Sequence, residues 1–386
     1  MSKRFLLMLI TVAAISPLGI NLYLPSMPGM AASLGVDYAA VQVTLSVYLA
    51  AVALGQLVIG PVSDRYGRRP VLLGGLIMFV IGSLVCMMAP SISVLNVGRV
   101  IQALGGCAGI ALSRAIVRDM YDRTQAASMI AYVTMGMAVA PMIAPTIGGV
   151  LEAMHGWRAS FAFLVIFGAA TLLAVHVLLH ETNPWRGAAS GSPKLLQGYA
   201  KLLRIPAFWG FALTAGLTSA SFFSFVGGAA YVMIELMART PIEYGLYFGL
   251  VSVGYMAGNF CSGKYVVRIG PQRMIRLGVI LSIVSVLLMG GLYALDDMQP
   301  AFVFVPTMLL GMGNGLILPS CIAAAVSVKP EMAGAASGLT GSIQIGFGAV
   351  VAPLVGALVS TSAWPMIMVT GACMILASIT LRLATK

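Results

Sequence analysis

Charge is what this 386-residue chain has least of: Asp, Glu, Lys and Arg together make 9% of it, against roughly 25% in soluble domains. A chain so poor in charge cannot clothe a globular core with a water-facing surface, and disordered chains are polar and charge-rich, so both classes are excluded. Acidic residues are scarcest, 11 against 22 Lys and Arg. The three histidines (His155, His176, His180) do not cluster. The five cysteines (Cys86, Cys107, Cys261, Cys321, Cys373) each lie in an apolar run, with no CxxC pair and no Cys/His spacing, so neither a disulfide nor a metal site is expected. An enzyme would need His, Asp, Glu or nucleophilic Ser gathered in one place; no such gathering appears, and the chain reads as non-enzymatic with no cofactor. The net charge of +11 comes without a dense basic patch interleaved with aromatics, so nucleic acid is not an expected partner.

What is present is hydrophobic: 60% of the residues, with a mean hydropathy of +0.99. That places the chain in a lipid bilayer, where a helix needs about 20 apolar residues to cross. Punctuation by charges, Gly and Pro predicts twelve spans, at 5–28, 39–61, 70–90, 93–117, 126–151, 158–180, 206–236, 243–265, 274–294, 300–326, 333–359 and 364–382. Lys3-Arg4 ahead of an apolar run resembles a signal peptide; the same hydrophobicity continues throughout, so it reads as the first span, uncleaved. Sorting the Lys and Arg by side puts 18 at the termini and even-numbered loops, two (Arg158, Arg239) in odd-numbered loops, and Arg99 and Arg114 inside the fourth span. By the positive-inside rule both termini are expected in the cytoplasm, which accounts for the net charge. The longest polar stretch, 181–205, divides the chain into a bundle of six spans (1–180) and a second (206–386). It reads as a cytoplasmic linker with a short amphipathic helix near Lys194–Arg204.

The two halves repeat. Gly60, Arg65, Gly67 and Gly75 match Gly263, Arg268, Gly270 and Gly278 at an offset of 203; Leu104-Gly105 and Gly109 match Leu310-Gly311 and Gly315; Ala144-Pro145 and Gly148 match Ala352-Pro353 and Gly356; Trp157 matches Trp364. The order and near-constant offset of these matches point to a duplication, with both halves in one orientation and a substrate site between them near the midplane. The expected fold is an all-α membrane protein of 12 transmembrane helices in two pseudo-symmetric six-helix bundles, and two complete halves make a monomer sufficient.

Particular segments resemble a known family. Gly60-Pro-Val-Ser-Asp64-Arg65-Tyr-Gly67-Arg68-Arg69-Pro resembles the signature loop between the second and third helices of the major facilitator superfamily. Arg99-Val-Ile-Gln102-Ala-Leu-Gly105 resembles its fourth-helix arginine motif, and the run from Gly136 through Pro141 and Pro145 to Gly148-Gly149 resembles the fifth-helix motif of its antiporters. Leu22-Tyr23-Leu24-Pro25-Ser26-Met27-Pro28 resembles the first helix of the Bcr/CflA group of drug exporters. The resemblance implies a drug:proton antiporter in the bacterial inner membrane, exporting small amphipathic antimicrobials of the amphenicol or bicyclomycin kind by alternating access. A metabolite transporter or facilitator on the same fold (for a nucleoside, amino acid or siderophore-like compound) is the alternative.

The residues carry their own physical reading. In the 60–70 loop, Gly60 permits close helix approach and Gly67 a tight turn. Asp64 can face a helix terminus or a cation. The resemblance implies that Asp64 latches the outward-open state near the start of the eleventh span, with Arg118 and Asp119 as candidate partners; Arg65, Arg68 and Arg69 could also serve topology alone. The second copy has Val267 in place of Asp64, so the latch is expected to be lopsided. Arg99 at hydrocarbon depth costs at least ~2.5–3.5 kcal/mol and should face a cavity or a partner, either as a coupling or polarity-sensing group or as an anchor between helices; Val305 is its counterpart at the sequence offset, and Gln102 lies one turn away. Pro141 and Pro145 kink the fifth span while Gly136, Gly148 and Gly149 let it pack closely. Candidate walls of a substrate site, between the bundles, are Tyr23, Tyr48, Phe222, Phe225, Tyr231 and Tyr255, with Asn314 and Gln344 as amides at depth.

One position breaks the family pattern. The Bcr/CflA first helix carries an aspartate two residues before the Tyr; here that position is Asn21, which donates and accepts hydrogen bonds but cannot titrate. The 11 acidic residues all fall at span ends: Asp37, Glu152, Glu235, Glu243, Asp296 and Asp297 at one, Asp64, Asp119, Asp122, Glu181 and Glu331 at the other. Three explanations stay open: an engineered Asn21, coupling through an end carboxylate such as Asp37 or through protons carried by substrate, or a facilitator. The proton is the coupling ion in the first two, and Asn21 is expected to line the site in all three.

Overall fold

Apolar runs without exposed backbone polar groups have one way to satisfy their N–H and C=O groups in lipid, as helices, and the computed structural model is built of helices wherever it describes the chain's apolar spans. It describes residues 3–120, 123–183, 202–296, 298–329 and 333–384. Among these no strand occurs. The helices are α1 (Lys3–Asn21), α2 (Met27–Leu34), α3 (Tyr38–Tyr66), α4 (Arg68–Met87), α5 (Ile92–Met120), α6 (Arg123–His155), α7 (Arg158–Leu178), α8 (Pro206–Tyr231), α9 (Pro241–Ile269), α10 (Pro271–Tyr293), α11 (Pro300–Phe304), α12 (Thr307–Val328), α13 (Ala333–Leu358) and α14 (Trp364–Ala384). Taking α1 with α2, and α11 with α12, as single interrupted rods gives twelve. Ten of them are long and apolar enough to cross a membrane; α6 and α9 make up the twelve.

Two spans differ from their sequence outline. The first is not one helix over 5–28: α1 stops at Asn21, a 3-10 turn spans Leu24–Ser26, and α2 resumes at Met27. Pro25 and Pro28 lack the N–H groups a continuous helix would need there. The tenth breaks at Val305–Pro306 for the same reason. Most of the 181–205 segment, including Lys194 and the amphipathic helix expected there, lies outside the described residues.

The repeat is visible in the packing. Gly67 and Gly270 turn the chain between α3 and α4 and between α9 and α10 with φ of 102° and 81°, a region L side chains enter only under strain. A Cβ on Gly75 would meet the Gly105 carbonyl, and one on Gly278 the Gly313 carbonyl. Backbone therefore touches backbone where α4 crosses α5 and where α10 crosses α12. The packing equivalent of Gly105 is thus Gly313, an offset of 208, where the sequence pairs it with Gly311. Helix starts agree, Ile92 with Pro300. On that register the partner position of Arg99 is the buried Thr307, and Val305 is half-exposed.

Candidate functional site

Arg99 is wholly buried inside the first bundle. Seven residues past the start of α5, it lies ~10 Å along the helix, midway between the helix centre and the end that carries Asp37 and Glu152 (the far face). Its guanidinium is sandwiched between the rings of Tyr23 at 4.2 Å and Tyr48 at 4.1 Å, with Phe161 at 6.0 Å. Nη1 donates to the Gly19 carbonyl at 2.9 Å and to Gln102 Oε1, and Nε donates to Thr44 O at 3.5 Å. Gln102 Nε2 then donates to Ser83 Oγ at 2.7 Å, and Ser83 to Phe79 O. Tyr23 shares a 3.2 Å hydrogen bond with Thr44, and Tyr48 reaches Ser16 Oγ at 3.3 Å.

Four of the expected site residues, Tyr23, Tyr48, Arg99 and Gln102, therefore form one unit, held by α1, α3, α4 and α5 and located within a bundle, where sequence reasoning set them between the two. Desolvated cation–π contacts of up to ~2 kcal/mol each and charge-assisted hydrogen bonds of ~1.5–3 kcal/mol each offset an insertion penalty of at least ~2.5–3.5 kcal/mol. Among the described residues no carboxylate pairs with Arg99, and its Nη2 has no hydrogen-bond partner. Asn21, two residues beyond the Gly19 carbonyl, is 4% exposed; its Nδ2 donates to Pro17 O at 2.8 Å and its Oδ1 is buried without a donor among the described residues.

The second bundle supplies an aromatic cluster. Phe225 packs on Phe248 at 6.0 Å and on Phe304 at 5.6 Å, and Phe222 on Phe248 at 6.4 Å. Tyr231 meets Tyr38 of the first bundle at 4.7 Å. Asn314 is buried with its Oδ1 unsatisfied, and the half-buried Gln344 has an Nε2 without an acceptor among the described residues. Tyr255 is half-buried; its carbonyl accepts from Asn259 Nδ2 at 2.8 Å, and its hydroxyl lies in the field of Arg114 across from α5.

The bundles meet most closely at the far face. Gln42 Nε2 donates to the Gly227 carbonyl at 2.7 Å, joined by the Tyr38 hydroxyl at 3.3 Å. In α6, a Cβ on Gly148 would strike the Leu22 carbonyl and one on Gly149 the Pro241 carbonyl, while Gly245 of α9 faces Thr146. The fifth-span glycines thus seat α6 against the break in the first span on one side and against α9 on the other. Gly136 packs on Ile10, and Pro141 and Pro145 lie inside α6. Deeper, Ser342 Oγ reaches Ala53 O at 3.1 Å. At the opposite, cationic face, Gly60 and Gly263 border open space.

That face carries the 60–70 segment, which is not a loop but the end of α3 and the start of α4, with Gly67 alone between the two helices. Arg68 bridges Asp64, Ser63 Oγ and, at 2.9 Å, Asp119 Oδ2 at the end of α5. Arg69 donates to the His176 carbonyl at 3.0 Å, and Arg65 is exposed over Tyr66. Asp64 and Asp119 are thus joined through Arg68, within one bundle. The Arg118 side chain, residues 330–332 and the side chains of 333–335 at the start of α13 lie outside what the structure describes.

Sequence reasoning missed Glu181. Its carboxylate accepts from the N–H groups of Arg68 at 2.9 Å, Arg69 at 3.3 Å, Thr182 at 3.1 Å and Asn183 at 3.0 Å, and Asn183 Nδ2 donates to Asp64 O at 2.9 Å. Burial pushes this carboxyl up, but the four donors outweigh it and hold it below the usual range. Tyr38, Gln42 and Arg114 were missed as well. An amide and a cation in apolar spans were the available signal for the last two.

The Major Facilitator Superfamily family model matches residues 9–353. A chloramphenicol resistance protein of Pseudomonas aeruginosa is 30% identical over 392 residues, covering 97% of this chain and 90% of that protein. Multidrug resistance protein D of Escherichia coli is 30% identical over 347 residues, covering 88% and 85%. The crystal structure of the human organic anion transporter MFSD10 (TETRAN) shares the fold with a TM-score of 0.72 at 18% identity, over 98% of this chain and 99% of that one.

Proposed function

The chain belongs to the major facilitator superfamily and is a multi-pass membrane transporter, and on that premise we propose that it exports small amphipathic antimicrobials of the amphenicol kind across a bacterial inner membrane, as a monomer with both termini in the cytoplasm. The observation that carries this reading is the full-length similarity to resistance proteins, chloramphenicol resistance among them. The geometry supports it. The two bundles grip each other at the far face through Gln42 and Gly149. A binding region reached from the cationic face is loaded from the cytoplasm if that face is cytoplasmic, as export requires. Rocking of the bundles would break the far-face contacts and carry the solute out.

A proton gradient is the proposed drive. Asn21 favours a second reading, a facilitator, because an amide cannot bind and release a proton. The two are separated in proteoliposomes loaded with labelled chloramphenicol. An imposed pH gradient is expected to drive uphill movement at least severalfold above the gradient-free rate if coupling is intact. Equilibration without accumulation rejects coupling. Asn21→Asp is expected to increase gradient-driven transport; no gain, with strong coupling in the parent, overturns the role given to this position.

A further inference from the structure

Asn21 cannot titrate, yet a half-buried carboxylate lies one turn beyond the far-face seal. Glu152 follows Gly149, the residue jammed against Pro241 of the second bundle. Its Oε1 lies against Gly29 of α2, where a Cβ would collide with it. Its Oε2 is shut off from solvent and has no hydrogen-bond partner among the described residues. The Ser26 hydroxyl, also buried, lies beside the carboxyl. The 3-10 turn that carries Ser26 packs between α6 and both α8 and α9, so the second bundle roofs this corner only while the far face is closed.

The charges around it do not neutralise Glu152. Arg158 stacks on Trp157 and donates to the Ala89 carbonyl. His155 and Arg239 are exposed, as is Glu235 beyond α8. Glu243 is held in the capping box with Thr240, Asp37 precedes α3, and Tyr23 and Tyr231 are the ionisable side chains of the neighbouring stretches of the first span and α8. Among the described residues no cation forms an ion pair with Glu152.

An ionised carboxylate with one oxygen shut off from water and only a hydroxyl beside it is disfavoured; the neutral acid carries its own donor and can give it to Ser26. Parting α6 from α9 would uncover the turn and let water solvate the ionised form. We infer that Glu152 is a protonation site that clamps the far-face seal, neutral when the seal is closed and ionised when it opens. The inference rests on the transporter reading, and it gives exterior acid a direct means of returning the carrier to the state open at the cationic face.

The test uses the full-length protein in nanodiscs with no substrate. Spin labels at Met154→Cys and Met298→Cys, exposed far-face positions on the two bundles, report the opening in a Cys261→Ser background; the other four cysteines are buried. The parent distance distribution is expected to lengthen as pH rises from about 5 to about 9, across the range open to a buried carboxyl. E152Q should stay short at every pH, and E152D should recover the response. An E152Q protein that responds like the parent, or a parent that does not respond, overturns the clamp. Because no substrate is present, failure of chloramphenicol export would reject the transport reading and leave this result standing.

Discussion

A single guanidinium illustrates how far one residue can be read before its surroundings are seen. Arg99 stands out in the sequence because a charge at membrane depth demands compensation. Its cage does not stand out, since Tyr23, Tyr48 and Phe161 come from three separate spans and nothing local marks them as its partners. Arg99→Lys keeps the charge but cannot lie flat between two rings while donating to two carbonyls and an amide. The expected loss is about 2 kcal/mol, read as a lower melting temperature in detergent, together with impaired export. Glu181 shows the reverse case. It looks like one more polar residue at a span end, yet it gathers four backbone donors. Its folded-state pKa is depressed, so its stabilisation is present above the unfolded value of about 4.3 and is lost as pH falls through the lower folded value. Melting curves of the parent should decline with acidity below about pH 4.3, and the E181Q protein should lose this part of the decline.

Among elements, the helices were legible almost to the turn, because span length and charge placement are set by the bilayer. Their interruptions were less so. Pro25 and Pro306 sit inside apolar runs that hydropathy reads straight through, and only the lost backbone donors reveal the breaks. The repeat was readable as a duplication but not in register. Leucine-glycine pairs recur by chance in such chains, whereas the contact of Gly105 with Gly75 and of Gly313 with Gly278 fixes the equivalence physically. Gly105→Ala and Gly313→Ala should each cost about 1–3 kcal/mol, because backbone atoms cannot step aside for a Cβ. Gly74→Ala, with nothing within 4 Å of the new methyl, should be neutral or stabilising by up to about 1 kcal/mol. Thermal melts of the three variants side by side would distinguish close crossings from incidental glycines.

Across the whole molecule, the two bundles are alike in plan and unequal in equipment. Hydropathy and charge alone disclosed the apolar spans. They could not disclose which face is shut, because that depends on contacts between residues some 185 positions apart, such as Gln42 with Gly227. Replacing Gln42 with Leu removes one of the two donors to that carbonyl and leaves a weaker far-face grip. The Met154/Met298 spin pair should then report longer mean separations at neutral pH than in the parent, and an unchanged distribution would mean that the α6–α9 contact suffices to hold the seal. The expected site residues were legible as types and not as neighbours: the aromatics of α8 join Phe304 and Phe248, and the arginine joins the tyrosines of its own half.

The knot around Glu181 and Asn183 bears on how the polypeptide could be divided. Both residues fasten the first residues of the connector to the α3–α4 corner, so a backbone nick introduced after Asn183 would leave its fresh carboxyl end moored to the amino-terminal fragment. Two-gene expression with the cut placed there should therefore preserve that corner, whereas a cut just ahead of Glu181 would unmoor it.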